Sequence, residues 1–237
     1  MKDYKLIMFD LDGTLLPMDY EQFVNAYFGH LGKKMAQHGY EPQALVKAVW
    51  KGTMRMVAND GSKTNEQAFW DEFAGIYGES ARQDMVHFDA FYEQDFGKIK
   101  AVCGFNPDAA LTIKKIKKAG YVVALATNPI FPFTATRQRT EWTGLSTEDF
   151  AYVSTYENSR FCKPNTAYYK DILEKLSVPA SNCLMVGNDV NEDILAGRKT
   201  GMDVFLITDC IINKDGADLT GIPSGTFADL LRYLEID

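Results

Sequence analysis

Short blocks of apolar, largely β-branched residues recur along the chain at Leu6–Phe9, Tyr121–Leu125, Ala151–Val153, Cys183–Val186 and Val204–Ile207. They run without polar alternation, as strands do when both faces of their sheet are covered. Helical patterns separate them. The pattern therefore predicts an α/β fold: a doubly wound, Rossmann-like parallel sheet with helices on both faces.

One interval breaks the rhythm. The stretch from Phe9 to Tyr121 far exceeds the ~12 residues that a simple strand-helix-strand crossover needs, so something folded is inserted there. The insertion reads as helical and aromatic. Phe23, Tyr27 and Leu31 share a helix face, as do Phe69, Phe73 and Tyr77, and Phe88, Tyr92 and Phe96 cluster at helical spacing. Stripes of this kind ordinarily form core and not a cofactor box. Thr64-Asn65-Glu66-Gln67 predicts a capping box opening the Phe69 helix, after the turn-forming Asn59-Asp60-Gly61-Ser62. Gly104-Phe105-Asn106-Pro107-Asp108 predicts a hinge and then a proline in the first turn of a new helix. These signals divide the chain into an α/β catalytic core of residues 1–16 and 105–237 and an all-helical cap of residues 17–104.

Composition adds exclusions. With 46% hydrophobic and 24% charged residues among 237, the chain can bury a large core. Its net charge of -7, with acids and bases interspersed, provides no basic stripe for a nucleic acid. The run Lys114-Lys115-Ile116-Lys117-Lys118 falls in the last turns of a helix ending at Gly120, where cations complement the helix dipole. The four cysteines show no CxxC spacing, and Met1-Lys2-Asp3-Tyr4 runs into a strand pattern and not a signal peptide. No apolar run reaches the ~20 residues that span a bilayer. A cytoplasmic protein with neither nucleic-acid nor membrane partners is expected; its oligomeric state is not legible.

The candidate chemistry sits at predicted strand ends. Asp10 and Asp12 follow the first strand, and Gly13 lets the backbone turn as the sheet ends. In open parallel sheets, ligands bind beyond these carboxyl ends. Alone, Asp-Leu-Asp-Gly reads equally well as a strand-ending turn. Thr127-Asn128 follows the Tyr121 strand, Gly187-Asn188-Asp189-Val190-Asn191-Glu192-Asp193 follows the Cys183 strand, and Lys163-Pro164 lies between them. Singly, each has an ordinary structural reading: Thr127 as a helix cap, Lys163 as a solvated charge, Asp189 or Asp193 at a helix N-terminus. In this order they recur where ligands bind.

Their order and spacing resemble the haloacid dehalogenase superfamily, and the resemblance covers nearly the whole chain. It implies an Asp nucleophile at Asp10, a second Asp at Asp12, then Thr127, then Lys163, then the acids Asp189 and Asp193. It also implies a helical cap inserted after the first motif. Many relatives carry Gly-Asp at the start of the last motif, where this chain has Asn188 followed by Asp189; Asp189 is favoured over Asp193 as a direct metal ligand. Without a cation the four acids would raise one another's pKa values. The implied set for Mg²⁺ is one oxygen of Asp10, the backbone carbonyl of Asp12 and Asp189, with water and substrate completing it. Thr127, Asn128 and Lys163 would hold the phosphoryl oxygens, and Asp12 would serve as acid and then base.

The expected activity is Mg²⁺-dependent hydrolysis of a small phosphorylated metabolite through an aspartyl-phosphate. A phosphomutase would share every residue named, and a non-catalytic ligand-binding protein could retain the fold. Asp12 argues against a dehalogenase, which has no leaving alkoxide to protonate. The absence of a GxGxxG turn argues against a nicotinamide dehydrogenase. Met54, Arg55, Met56 and Asn59 lie near a predicted cap loop but are not assigned to the site, a solvated helix end being the simpler reading of Arg55.

Overall fold

The computed structural model describes residues 3–236. Strand β1 (Leu6–Phe9) is followed by helices α1 (Tyr20–Met35), α2 (Pro42–Val57), α3 (Asn65–Tyr77), α4 (Met85–Gln94) and α5 (Pro107–Lys118). Then come β2 (Val122–Leu125), α6 (Phe133–Trp142), α7 (Thr166–Leu176), β3 (Cys183–Gly187), a π-helical turn at Val190–Leu195 running into α8 (Ala196–Thr200), β4 (Asp203–Ile207), β5 (Ser224–Gly225) and α9 (Phe227–Tyr233). The strands form one parallel sheet in the order β2-β1-β3-β4-β5. This is the doubly wound α/β architecture expected from the apolar blocks.

Both faces of the sheet are covered, which is why its strands lack alternation. Ile7, Phe9, Val123, Leu125, Val186 and Phe205 face one apolar cluster, and Leu6, Met8, Ala124, Met185, Val204 and Leu206 face the other. The block at Ala151–Val153 departs from expectation. It lies against the outer edge of β2 through the parallel bridge Leu125–Val153, with Ala151 donating to Val123 O at 2.8 Å and Leu125 donating to Tyr152 O at 2.8 Å. Its pairing is too short to make a full strand. β5 is a two-residue edge, too brief to leave a pattern in the sequence.

The helix boundaries follow their local chemistry. The Asp19 side chain caps α1 by accepting from Gln22 N at 2.9 Å. Thr64 and Gln67 form the capping box of α3, and Asn106 caps α5 with Pro107 in its first turn. The lysine run ends α5, and Gly120 turns away at φ +95°.

The chain leaves the sheet after β1 and returns to it at α5 along adjacent paths. Met18 and Cys103 form an antiparallel bridge, and Gly104 N donates to Pro17 O at 2.7 Å. A second attachment lies far along the sequence, at the start of α3. Asn65 is fully buried; its amide N donates to Ser159 O at 2.8 Å and its side-chain Nδ2 to Pro129 O at 3.1 Å. Asn59, near the predicted cap loop, braces it by donating to Asn65 Oδ1 at 2.9 Å and Lys63 O at 3.0 Å. Among the described residues, no helix is long and apolar enough to cross a membrane.

Candidate active site

Asp10 lies just beyond β1, its amide donating to Val186 O of the neighbouring strand at 2.9 Å. The interior position of β1, between β2 and β3, sets this carboxylate at the carboxyl edge of the sheet with strand ends on either side. Lys163 Nζ donates to Asp10 Oδ1 at 2.8 Å and to Asp193 Oδ1 at 2.6 Å. Thr14 Oγ1 donates to Asp10 Oδ2 at 3.2 Å and to Asn188 Oδ1 at 2.9 Å. Asp193 Oδ2 accepts from Asp189 N at 3.0 Å. Three of the seven residues predicted from sequence, Asp10, Lys163 and Asp193, thus form one buried ionic chain.

The backbone beneath it is shaped by close approach. Gly13 has φ +86°, and a Cβ there would stand 2.3 Å from Asn188 Nδ2. A Cβ on Gly187 would stand 2.2 Å from Asp193 Oδ2. Both glycines therefore permit contacts that a side chain would block.

Asp12 points elsewhere. Its Oδ2 accepts from Arg139 Nη1 of α6, and Arg139 is fully buried with its guanidinium carbon 4.5 Å from the Phe131 ring centre. Asp12 Oδ1 has no hydrogen-bond partner among the described residues. The carboxylate keeps 30% of its side-chain surface open, but that surface faces a cavity. Burial is accordingly the largest influence on it and raises its pKa; Arg139 opposes the shift and Asp10 adds to it.

Thr127 and Asn128 follow β2 and line the same cavity. Asn128 Nδ2 donates to Glu192 Oε2 at 3.1 Å, while its Oδ1 is unpartnered among the described residues. Asp189 also lines the cavity, but its Oδ1 caps the following π-helical turn, accepting from Asn191 N at 2.9 Å and Glu192 N at 2.8 Å.

The charges are strongly coupled. Burial disfavours the Lys163 ammonium, yet Asp10 and Asp193 outweigh it and hold the lysine protonated well above its ordinary range. Burial pushes Asp193 up to about 8 against the pull of Lys163. Burial likewise lifts Glu192 to about 7, with Lys163 opposing and Asp189 and Asp10 adding. Burial thus sets the direction for the two acids, and the two neighbouring carboxylates set it for the lysine.

Four participants were not singled out in the sequence: Thr14, Arg139, Asn188 as a side chain facing Asp10, and Glu192. Thr14 and Asn188 sit inside motifs whose carboxylates drew attention first. Arg139, in the polar run Arg137-Gln138-Arg139-Thr140-Glu141, resembles a surface charge, and nothing local distinguishes it. Met54 is exposed, Met56 is buried, and neither they nor Arg55 nor Asn59 lines the cavity.

Fold and site together define a doubly wound α/β protein with a carboxylate at the carboxyl end of an interior parallel strand. The chain belongs to the haloacid dehalogenase-like hydrolase (HAD) family, whose model matches residues 4–201. It is 30% identical over 209 residues to a phosphoglycolate phosphatase of Psychrobacter arcticus, covering 86% of this chain and 83% of that protein. Among solved structures, it is similar to a 2-haloacid dehalogenase from Pseudomonas syringae at TM-score 0.63, with 19% identity and 98% of each chain covered. It is also similar to a HAD phosphatase from Thermococcus onnurineus at TM-score 0.58, with 18% identity and 97% of each covered.

Proposed function

We propose that the chain is a Mg²⁺-dependent phosphatase that hydrolyses a phosphate monoester through an aspartyl-phosphate on Asp10. The observation carrying this reading is the environment of Asp10: its Oδ1 is held by Lys163 at 2.8 Å, and the residue opens onto a cavity that also reaches Asp12. The similarity to a phosphoglycolate phosphatase supports the choice of a phosphate ester.

The donors around Asp10 are hard oxygens, which suits magnesium. Among the described residues, no group of three His, Cys, Asp or Glu side chains is placed to hold a metal. Magnesium does not need one, since it commonly takes one or two carboxylates and keeps several waters. Asp10, the backbone carbonyl of Asp12, the Asn188 amide oxygen and Asp189 are the groups that would hold it. When bound, the ion supplies positive charge against which an anionic ester can approach a carboxylate. Asp193 has both oxygens engaged, one by Lys163 and one by the Asp189 amide, and is assigned to supporting Lys163.

In the first half-reaction an Asp10 oxygen forms a bond to phosphorus while the bond from phosphorus to the ester oxygen breaks. Asp12, whose pKa burial raises, gives that leaving oxygen its proton. In the second half-reaction Asp12 takes a proton from water as the water attacks phosphorus, releasing Asp10 and inorganic phosphate. Lys163, Thr127 and Asn128 stabilise charge on the phosphoryl oxygens. Arg139 fixes the carboxyl of Asp12 during both transfers. Residues 17–104 act as the cap that shields the reaction from water.

The test is phosphate release from a panel of monoesters with Mg²⁺, combined with rapid quenching and mass spectrometry of the Asp10 peptide. Transient phosphorylation at Asp10 is expected. Turnover with no adduct, or turnover undiminished in Asp10→Asn, would refute the mechanism.

A further inference from the structure

The cavity above Asp10, of about 360 Å³, has two unlike halves. Its floor carries Asp10, Asp12, Asp189, Glu192 and Asp193. Its roof and most of its walls come from the helical insertion and include Phe23, Phe28, Trp50, Phe69, Trp70 and Phe88, with Phe131 and Tyr156 of the sheet domain completing them. Among the described lining residues from Met18 to Tyr92 there is no Lys, Arg, His, Asp or Glu.

The polar atoms on that wall carry no charge, and among them Trp70 Nε1 is a buried donor without a hydrogen-bond partner among the described residues. The hydroxyls of Tyr27 and Tyr92 share a hydrogen bond of 2.9 Å, and Thr53 Oγ1 donates to Val49 O of its own helix at 3.0 Å. The cation on the described lining is Lys214, an exposed residue of the core at the mouth, with Nζ 5.7 Å from the ring centre of the half-exposed Tyr20.

A ligand here gains by burying hydrocarbon against the rings. A second anionic group beyond the phosphate would meet apolar walls above and carboxylates below, with no buried cation on the upper wall to pair it. We infer that the organic part of the phosphate ester is uncharged and predominantly apolar, an aryl group or a hydrophobic alkyl chain. This inference rests on the phosphatase reading and sharpens it: a carboxylated ester such as 2-phosphoglycolate is a poor substrate of this chain.

The experiment compares kcat/KM with Mg²⁺ for 1-naphthyl phosphate, octyl phosphate, 2-phosphoglycolate and glyceraldehyde 3-phosphate. The two apolar esters are expected to lead the two polar ones by about 100-fold or more. Trp50→Arg, at a partly exposed wall position, places a cation in the cavity; it should narrow that ratio at least 10-fold, with unchanged far-ultraviolet circular dichroism. Calorimetry of 1-naphthyl phosphate with Asp10→Asn gives a readout without turnover, in which a negative heat-capacity change marks apolar burial. If 2-phosphoglycolate proves the better substrate, the inference fails while the phosphatase reading stands. If no ester is turned over, both fall.

Discussion

The floor and the roof of the cavity are built on opposite rules. On the floor, nearly every side chain is fixed by a named polar partner: Lys163 between Asp10 and Asp193, Thr14 between Asp10 and Asn188, Arg139 on Asp12. On the roof, rings meet edge to face, as Trp70 does with Phe88 at 5.3 Å between centroids. Directional bonds hold atoms to a fraction of an ångström, which a reacting centre needs. Ring packing buries area with little directional demand, so it selects shape and polarity while leaving the chemistry untouched. Changes on the floor should therefore alter kcat, and changes on the roof should alter KM.

The largest expected effect separates the two regions outright. Asp10→Asn should lower phosphate release by about 10,000-fold or more while retaining ester binding, measured by steady-state kinetics and calorimetry. Lys163→Met should cost about 1,000-fold in kcat and, by leaving two carboxylates buried without their cation, about 3–5 kcal/mol of stability in chemical denaturation. Should Lys163→Met instead match wild type in both, the buried ionic chain would have no functional weight.

Arg139→Met is expected to lower kcat by about 100-fold through loss of the Asp12 orientation. Arg139→Lys, which keeps the charge but loses the planar fork, should recover part of that loss. An unchanged pH profile in Arg139→Met would assign Arg139 to packing alone.

Glu192 predicts a pH-dependent stability in chelated protein. Its folded pKa of about 7 lies above the ordinary glutamate value of 4.5, so the folded state binds the proton more tightly. The associated stability is fully present below about pH 4.5 and is lost as pH rises through about 7, amounting to at most about 3 kcal/mol. The part-buried Asp12 and the buried Asp193, also shifted upward, act in the same direction. Denaturant midpoints from pH 4.5 to 8 should show this fall, and Glu192→Gln should reduce it.

The smallest effect tests the roof. Phe28→Leu should raise KM for an apolar ester by a few-fold, roughly the value of one or two buried methylenes, with kcat nearly unchanged. A larger loss in kcat than in KM would blur the distinction between the two halves.

Much of the sheet was legible because a parallel strand covered on both sides leaves a continuous apolar run, and Leu6–Phe9 and Cys183–Val186 are such runs. Asp10 was legible for a different reason, as an acid directly after an apolar strand, whereas Lys163, in the loop before α7, was legible only through its place in the ordered set of motifs. Arg139 was not. Its partner Asp12 is 127 positions away, and a local pattern cannot distinguish a buried arginine from a solvated one. The aromatic stripes were partly legible. Phe73 and Phe96 are fully buried core residues, but Phe23, Phe69 and Phe88 combine burial with a place on the cavity wall. Helical periodicity says which face is covered and is silent about what covers it.

The helical insertion is fastened to the sheet domain at the paired crossing of Pro17 and Gly104, at the buried Asn65, and against α6, where Gln138 Nε2 donates to Tyr92 O at 2.5 Å and Trp142 stacks on Phe96 at 5.5 Å between ring centres. Ties spread over three parts of its surface oppose any swing of the insertion that does not break one of them. Lifting away would require the polar clamp around Asn65 to break and rehydrate. The exposed lining residues Tyr20 and Lys214, an aromatic ring and a cation 5.7 Å apart, are then the groups that a molecule coming from solvent meets without that clamp having to open.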